Sequence, residues 1–161
     1  MNEPIFSHER LDDYRLSIDY VAFSYRIVKS LAGVNRLARD QGLRAAQSIP
    51  LNIAEGNGKQ SLKDKNRFYE IAPGSTLECA SIHDVLVVCD AIDVESNGRG
   101  KSCLNRIVSM LTRLIQRTES LLEVSIEYEY EYRDADTSTK RCQNQALDRS
   151  RCEMDGVWLV P

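Results

Sequence analysis

Four stretches of this chain repeat apolar residues every three or four positions, and that spacing restricts it to a helical core. The first carries Leu11, Tyr14, Ile18, Val21, Ala22, Tyr25, Val28 and Ala32, with Gly33 as the stop because glycine tolerates a left-handed cap. The second runs from Arg36 to Glu55 through Leu37, Leu43, Ala46, Ile49 and Ile53, and Gly56, Asn57 and Gly58 end it. Pro50 removes one backbone donor and crowds the carbonyl of Ala46, which predicts a kink near Gln47. Ser61 with Asp64 three residues on resembles a capping box for the third helix. That helix presents Phe68, Ile71, Ser75, Cys79, Ile82, Val85, Leu86, Cys89 and Ile92, and Pro73-Gly74 predicts a bend or local break. Asn97, Gly98 and Gly100 read as the next turn. The fourth helix follows with Leu104, Ile107, Val108, Leu111, Leu114, Ile115, Thr118, Leu121 and Leu122. Four such stripes joined by short polar loops are buried most simply in an all-α, antiparallel up-down-up-down four-helix bundle.

The pattern changes after Glu127. Tyr128, Tyr130 and Tyr132 alternate with Glu129 and Glu131 at strand-like spacing, with no second strand to pair with. From Asp134 to Glu153 there is no apolar period. The expectation is a bundle over residues 1–127 and a mobile, poorly ordered tail over 128–161, with Val157 to Val160 as a loosely held end.

A chain of 161 residues is long enough for one domain with a real core. Its net charge of −3 gives no global pull toward nucleic acid, so any basic surface must be local. No apolar run approaches the roughly 20 residues that span a bilayer. The opening MNEPIFSHERLDD has no basic region followed by a greasy stretch. A cytoplasmic protein with no membrane partner is expected. Cys79, Cys89 and Cys103 fall in helical segments and Cys142 and Cys152 in the tail, with no CxxC pair and no histidine at zinc-finger spacing. No metal or cofactor is expected.

The residues that known bundle chemistries require are missing from this chain. A di-iron bundle needs Glu-x-x-His on two helices, but Ile5 stands three before His8 and Ala80 three before His83. Nuclease-type bundles place an Arg several residues before a His, and neither histidine has one. Asp90 and Asp93 form an acidic pair of the kind used by all-α pyrophosphatases, but they read better as a solvated helix end. Gly56 to Ser61 faintly resembles a phosphate loop, yet it follows a helix and has Gln60 where Ser or Thr should hold Mg²⁺. The chain therefore reads as non-enzymatic.

Local charge is more informative. Between Arg36 and Arg67 lie Arg36, Arg39, Arg44, Lys59, Lys63, Lys65 and Arg67, against Asp40, Glu55 and Asp64. From Arg99 to Arg117 the cations Arg99, Lys101, Arg106, Arg113 and Arg117 meet no acid. Acids gather instead in the first helix, at Asp90, Asp93 and Glu95, and in the tail. This makes Arg44, Lys59, Lys63, Lys65, Arg67, Arg106, Arg113 and Arg117 the candidate contacts to RNA or DNA phosphates. Aromatic interleaving is thin, with Phe68 and Tyr69 only. The competing reading is a protein-protein scaffold whose cations only solvate its helices.

Ser48, Asn52 and Glu55 fall at i, i+4 and i+7 on one face of the second helix, and Ser75 and Glu78 share a face of the third. Polar groups at a packing seam cost about 1–3 kcal/mol each when unsatisfied. A hydrogen-bonded network between helices or across a subunit boundary is the expected use, with a Glu55–Glu78 catalytic pair as the alternative.

The stretch LRAAQSIPLNIAEGNGKQSLKDKNRFYEIAPGSTLE, from Leu43 to Glu78, resembles the bacterial four-helix bundle proteins encoded in intervening sequences of 23S ribosomal RNA genes. The block Ser48-Ile49-Pro50-Leu51-Asn52-Ile53-Ala54-Glu55-Gly56, then Phe68, Ile71-Ala72, Gly74-Ser75 and Glu78, carries the resemblance. It implies an antiparallel bundle that assembles with itself as a ring, commonly a pentamer, with Ser48, Pro50, Asn52, Glu55, Gly56, Ser75 and Glu78 as its structural motif. Accessory proteins of diversity-generating retroelements, related to that family, bind nucleic acid through a basic surface. The chain departs from the family at Pro73, where a helix-compatible residue is usual, and beyond Tyr132, where nothing carries over.

Overall fold

A computed structural model describes residues 3–154 apart from 30 and 32, with side chains as far as 124 except at 34. It contains four helices, α1 (Asp12–Val28), α2 (Arg36–Gly58), α3 (Leu62–Val88) and α4 (Val94–Met154). Short 3-10 turns, Ser7–Arg10 and Gly33–Asn35, precede α1 and α2. Chain contacts divide it into two units, residues 1–121 and 122–161. The first is the antiparallel four-helix bundle. In the second, backbone from Leu122 to Met154 is helical, so the tyrosine alternation near 130 lies on helix, not in a strand-like segment. Val157 to Val160 lie outside the described residues.

The core is Tyr20 from α1, Ala45, Ala46, Ile49 and Ile53 from α2, Ala72 and Cys79 from α3, and Leu104, Ile107 and Leu111 from α4. Each large aliphatic side chain fully buried there contributes about 1.5–3 kcal/mol. The face of α1 that turns inward is rotated from the apolar stripe read in the sequence. Asp13, Ser17, Tyr20 and Ser24 are buried, whereas Ile18 and Tyr25 are exposed. Small hydroxyl residues permit this because they satisfy themselves within the helix. Ser17 Oγ donates to the Tyr14 carbonyl at 2.6 Å and Ser24 Oγ to that of Tyr20 at 2.9 Å. Their small volume lets α1 sit close, while Leu16, Phe23, Tyr14 and Val21 pack from the flanks.

Helices α2 and α3 run antiparallel with Gly42 against Ile82, Ser48 bonded to Ser75, and Gly56 against Tyr69. By that register Pro50 lies level with Pro73. Neither helix is interrupted, so the break expected at Pro73-Gly74 does not occur. Each proline leaves one carbonyl, of Ala46 and of Tyr69, without its helical donor. Buried neighbours on both sides of each proline, Ile49 and Ile53 on α2 and Ala72 and Ser75 on α3, hold the helices together across the gap.

The helix ends show which local signals win. Ser61 caps α3, its hydroxyl accepting from the amide of Asp64 at 3.3 Å. Gly33 adopts the left-handed φ of 61°, but α1 has already ended at Val28. The turn after α3 comes earlier than Asn97. Asp90 is left-handed with φ 53°, and the Ala91 amide reaches back to the Leu86 carbonyl at 2.8 Å, which closes the helix end in the Schellman manner. Asp93 then opens α4 by accepting from the Ser96 amide and hydroxyl, both at 2.7 Å. Asn97, Gly98 and Gly100 are consequently inside α4, and the turn expected of them is corrected to residues 89–93. Gly100 is there for packing: a Cβ on it would lie 2.4 Å from the ring of His83. No described helix is long and apolar enough to cross a membrane.

Candidate nucleic-acid interface and assembly face

On α4, the exposed positions from Arg99 to Arg117 are Arg99, Ser102, Asn105, Arg106, Ser109, Thr112, Arg113, Gln116 and Arg117. All are cationic or neutral and polar. The inward face of the same stretch is filled by Leu104, Ile107, Leu111 and Thr118, so packing fixes which side chains turn outward. Steps of seven, seven and four align the four arginines in one stripe, about 27 Å long at 1.5 Å per residue. None forms an ion pair among the described residues; Arg113 Nε donates to the Ser109 carbonyl at 3.3 Å. The stripe is bordered by α1, since Asp19 and Arg106 both act electrostatically on Cys103. The acidic first helix and the basic fourth helix are therefore neighbours, and the charge separation in sequence is only partly a separation in space.

The cations of α2 and α3 fall into two groups. Lys59 is committed: it bridges Glu55 at 3.3 Å and lies over the Phe68 ring at 4.7 Å. Arg36 and Arg39 both face Asp40. Arg44, Lys63 and Arg67 are exposed and Lys65 is half-buried, and these four have no ion pair among the described residues. Lys101 is also committed, donating to both Asp84 oxygens at 2.6 and 2.7 Å. Tyr69, one of two aromatics available for stacking, is buried beneath Gly56.

The motif block resolves into a buried seam and an exposed rim. Ser75 Oγ donates to Ser48 Oγ at 2.9 Å, and Asn52 Nδ2 donates to the same oxygen at 3.0 Å and to the Ser48 carbonyl at 2.8 Å. Ser48, Asn52 and Ser75 thus form the interhelical network. Glu55 and Glu78 stay outside it, both exposed. The register sets them about 14 Å apart along the helix pair, so they do not meet as a carboxylate pair within one chain. Exposed apolar side chains occur on the same two helices: Leu51 is 66% exposed, Leu77 60%, Val85 52% and Ile71 45%.

A second polar group is buried between α1, α3 and α4. His83 Nε2 lies 3.1 Å from the Tyr20 hydroxyl, and its ring stacks on Phe23 at 6.1 Å and 2°. His83 Nδ1 is buried with no hydrogen-bond partner among the described residues. Burial pushes the His83 pKa down from its usual value, with Lys101 adding to the effect and Asp84 opposing it. Burial also raises the Tyr20 hydroxyl, and raises the Cys79 thiol to about 12, so both stay protonated. Cys79 is buried and inert, Cys103 half-buried and Cys89 exposed. Among the described residues no group of three or more His, Cys, Asp or Glu could hold a metal ion.

Arg99 belongs to the acid-free cationic run read in the sequence but not to the candidate contacts drawn from it, and the His83–Gly100 contact had no place in that reading. The seven-residue spacing from Arg99 to Arg106 and Arg113 was the available signal for the first. The second had none, because a glycine in a polar stretch reads as a turn.

The family model described as "23S rRNA-intervening sequence protein" matches residues 9–113. A crystal structure of a protein of unknown function from the S23 ribosomal protein family of Bacteroides thetaiotaomicron is similar in fold. It has a TM-score of 0.60 and 22% identity, and the match covers 64% of this chain and 97% of that one. No curated protein matches.

Proposed function

The chain belongs to the 23S rRNA-intervening sequence protein family, and from that premise we propose a non-enzymatic bundle that assembles with itself and binds RNA or DNA without sequence preference. The carrying observation is the outer face of α4 from Arg99 to Arg117, where four arginines without ion pairs among the described residues alternate with hydroxyl and amide side chains and the helix itself contributes no acid. Arginine there has both the charge and the donor geometry for phosphate oxygens. The stripe offers several phosphate contacts at once, and repetition around an assembly would multiply them. Self-assembly is supported by the apolar rim of Leu51, Ile71, Leu77 and Val85 around the Ser48–Asn52–Ser75 seam. In this reading Glu78, exposed and outside that seam, contacts a neighbouring subunit, as does Glu55 together with its partner Lys59. The family's ring, commonly a pentamer, is the form this reading adopts, in the cytoplasm.

Binding of a fluorescent single-stranded RNA is to be measured against salt concentration. The expected result is an affinity that falls steeply with salt, with a shallower slope in the Arg106→Gln, Arg113→Gln, Arg117→Gln triple variant. No binding near 50 mM salt, or a slope unchanged in the variant, would remove the nucleic-acid half and leave a protein scaffold. Light scattering across concentrations tests the assembly half, with Leu51→Asp expected to shift the mass toward the monomer. A wild-type monomer at all concentrations would sink the ring.

A further inference from the structure

A cleft of about 610 Å³ opens where the α3–α4 turn meets the C-terminal half of α1, lined among others by Phe23, Arg26, Asp90, Asp93, Ser96 and Arg99. Its volume lies within the range of small-molecule sites. Arg26 and Arg99 enter it from two different helices. Neither forms an ion pair or hydrogen bond with a described residue, although two aspartates line the same cleft. Asp93 is occupied: both its oxygens accept from Ser96, and the Ser96 amide is the first cause holding its carboxyl below the usual range. Asp90, at a left-handed φ of 53°, is exposed and its carboxylate has no partner among the described residues. The Arg99 guanidinium lies 5.9 Å from the centre of the Phe23 ring, which His83 in turn stacks against.

Each guanidinium presents up to five donors, so the two together suit a phosphate. The Arg99–Phe23 stack is a platform for a planar base, as guanidinium planes and aromatic rings both are. Asp90 can accept only from N–H or O–H donors. One ligand uses all three: an anionic phosphate joined to a flat ring that carries N–H donors. We propose that this cleft binds a nucleotide, its phosphate between Arg26 and Arg99, its base on the Arg99–Phe23 stack and the base N–H groups on Asp90. Arg99 also heads the α4 stripe, so a strand laid along α4 would deliver its terminal nucleotide here. That last placement rests on the proposed nucleic-acid reading; mononucleotide binding does not.

The test uses the full-length protein and a nucleoside 5′-monophosphate carrying a fluorescent label on the ribose, with the unphosphorylated labelled nucleoside as control. Saturable binding of the monophosphate is expected, at least tenfold tighter than the nucleoside. Arg26→Gln and Arg99→Gln should each weaken it about tenfold, the loss of a charge-assisted contact. Asp90→Asn should weaken it less, and Arg36→Gln, at an exposed cation that pairs with Asp40 away from the cleft, should leave it unchanged. These side chains are exposed, and melting curves confirm that the variants are folded. Absence of saturable binding, or an Arg26→Gln, Arg99→Gln double variant that binds like wild type, overturns the proposal. Wild-type protein that binds long RNA but no mononucleotide loses the cleft and keeps the stripe. Protein that binds the mononucleotide but no RNA loses the stripe and keeps the cleft.

Discussion

Helix α3 meets a neighbouring helix backbone through an aromatic ring at two levels, and the two contacts differ in chemistry. Near its start Tyr69 lies against Gly56 of α2, where a Cβ would stand 2.7 Å from the ring. Nearer its end His83 lies against Gly100 of α4, where the distance would be 2.4 Å. Both rings are buried. The Tyr69 contact involves groups that acid leaves neutral: burial, with the nearby Asp13, pushes the Tyr69 hydroxyl up to about 12, and burial raises the Asp13 carboxyl. The His83 contact involves a base that acid would charge in a place where Nδ1 has no partner among the described residues. One steric device therefore serves two ends of opposite acid response.

Substitutions can break this comparison, beginning with the largest effect. Gly100→Ala should cost about 3 kcal/mol, lowering the melting temperature by on the order of 10 °C, because His83 is wedged between Tyr20 and Phe23 and cannot retreat. Gly56→Ala should cost about 2 kcal/mol, since the approach is less severe although the Lys65 carbonyl at 3.1 Å also crowds it. If the two variants melt alike, the locking of His83 by its neighbours is not what sets the difference. Ser75→Ala, midway along the seam, should cost about 1 kcal/mol, as one hydroxyl hydrogen bond to Ser48 is lost.

The smallest expected effect is also the most diagnostic. The folded pKa of His83 is lowered below its usual 6.5, so the unfolded chain binds protons more readily. Stability falls as pH drops below about 6.5 toward the lowered folded value. The folded pKa of Asp13 is raised above 3.8, so its contribution has the opposite sign. Stability is gained as pH falls through that raised value. Chemical denaturation from pH 7 to 5 should show a decline that His83→Gln flattens. Asp13→Asn should stabilise the protein at pH 7 and remove the gain at lower pH. A decline that persists unchanged in His83→Gln would place the acid sensitivity elsewhere.

Much of the fold was legible because long helices advertise themselves. The apolar repeats of α2 and α4 name the core residues Ile49, Ile53, Leu104, Ile107 and Leu111 directly. The motif block likewise marks the seam, and three of its residues do bond to one another. What hid was everything decided by closeness. Ser17 and Ser24 look solvent-facing until their hydroxyls are seen to bond within α1. Gly98 and Gly100 look like a turn until the Asp93 cap and the His83 ring place them inside a helix. The basic site was half legible: charge counting along the chain finds the α4 arginines, but it also selects Lys59, whose charge Glu55 already meets. It cannot show that the acidic α1 runs beside the stripe.

The level pairing of Pro50 and Pro73 has a mechanical consequence. Two antiparallel rods that lack adjacent rungs, Pro50 to Ala46 on one and Pro73 to Tyr69 on the other, are most compliant around that level, where the Ser48–Ser75 hydroxyl bond pins them. Bending is then concentrated in one short zone across α2 and α3. The segment holding Gly42 and Ile82 can tilt against the segment holding Gly56 and Tyr69 while both helices remain whole. If copies of the bundle assemble as proposed, that zone is where a small misfit between them would be absorbed.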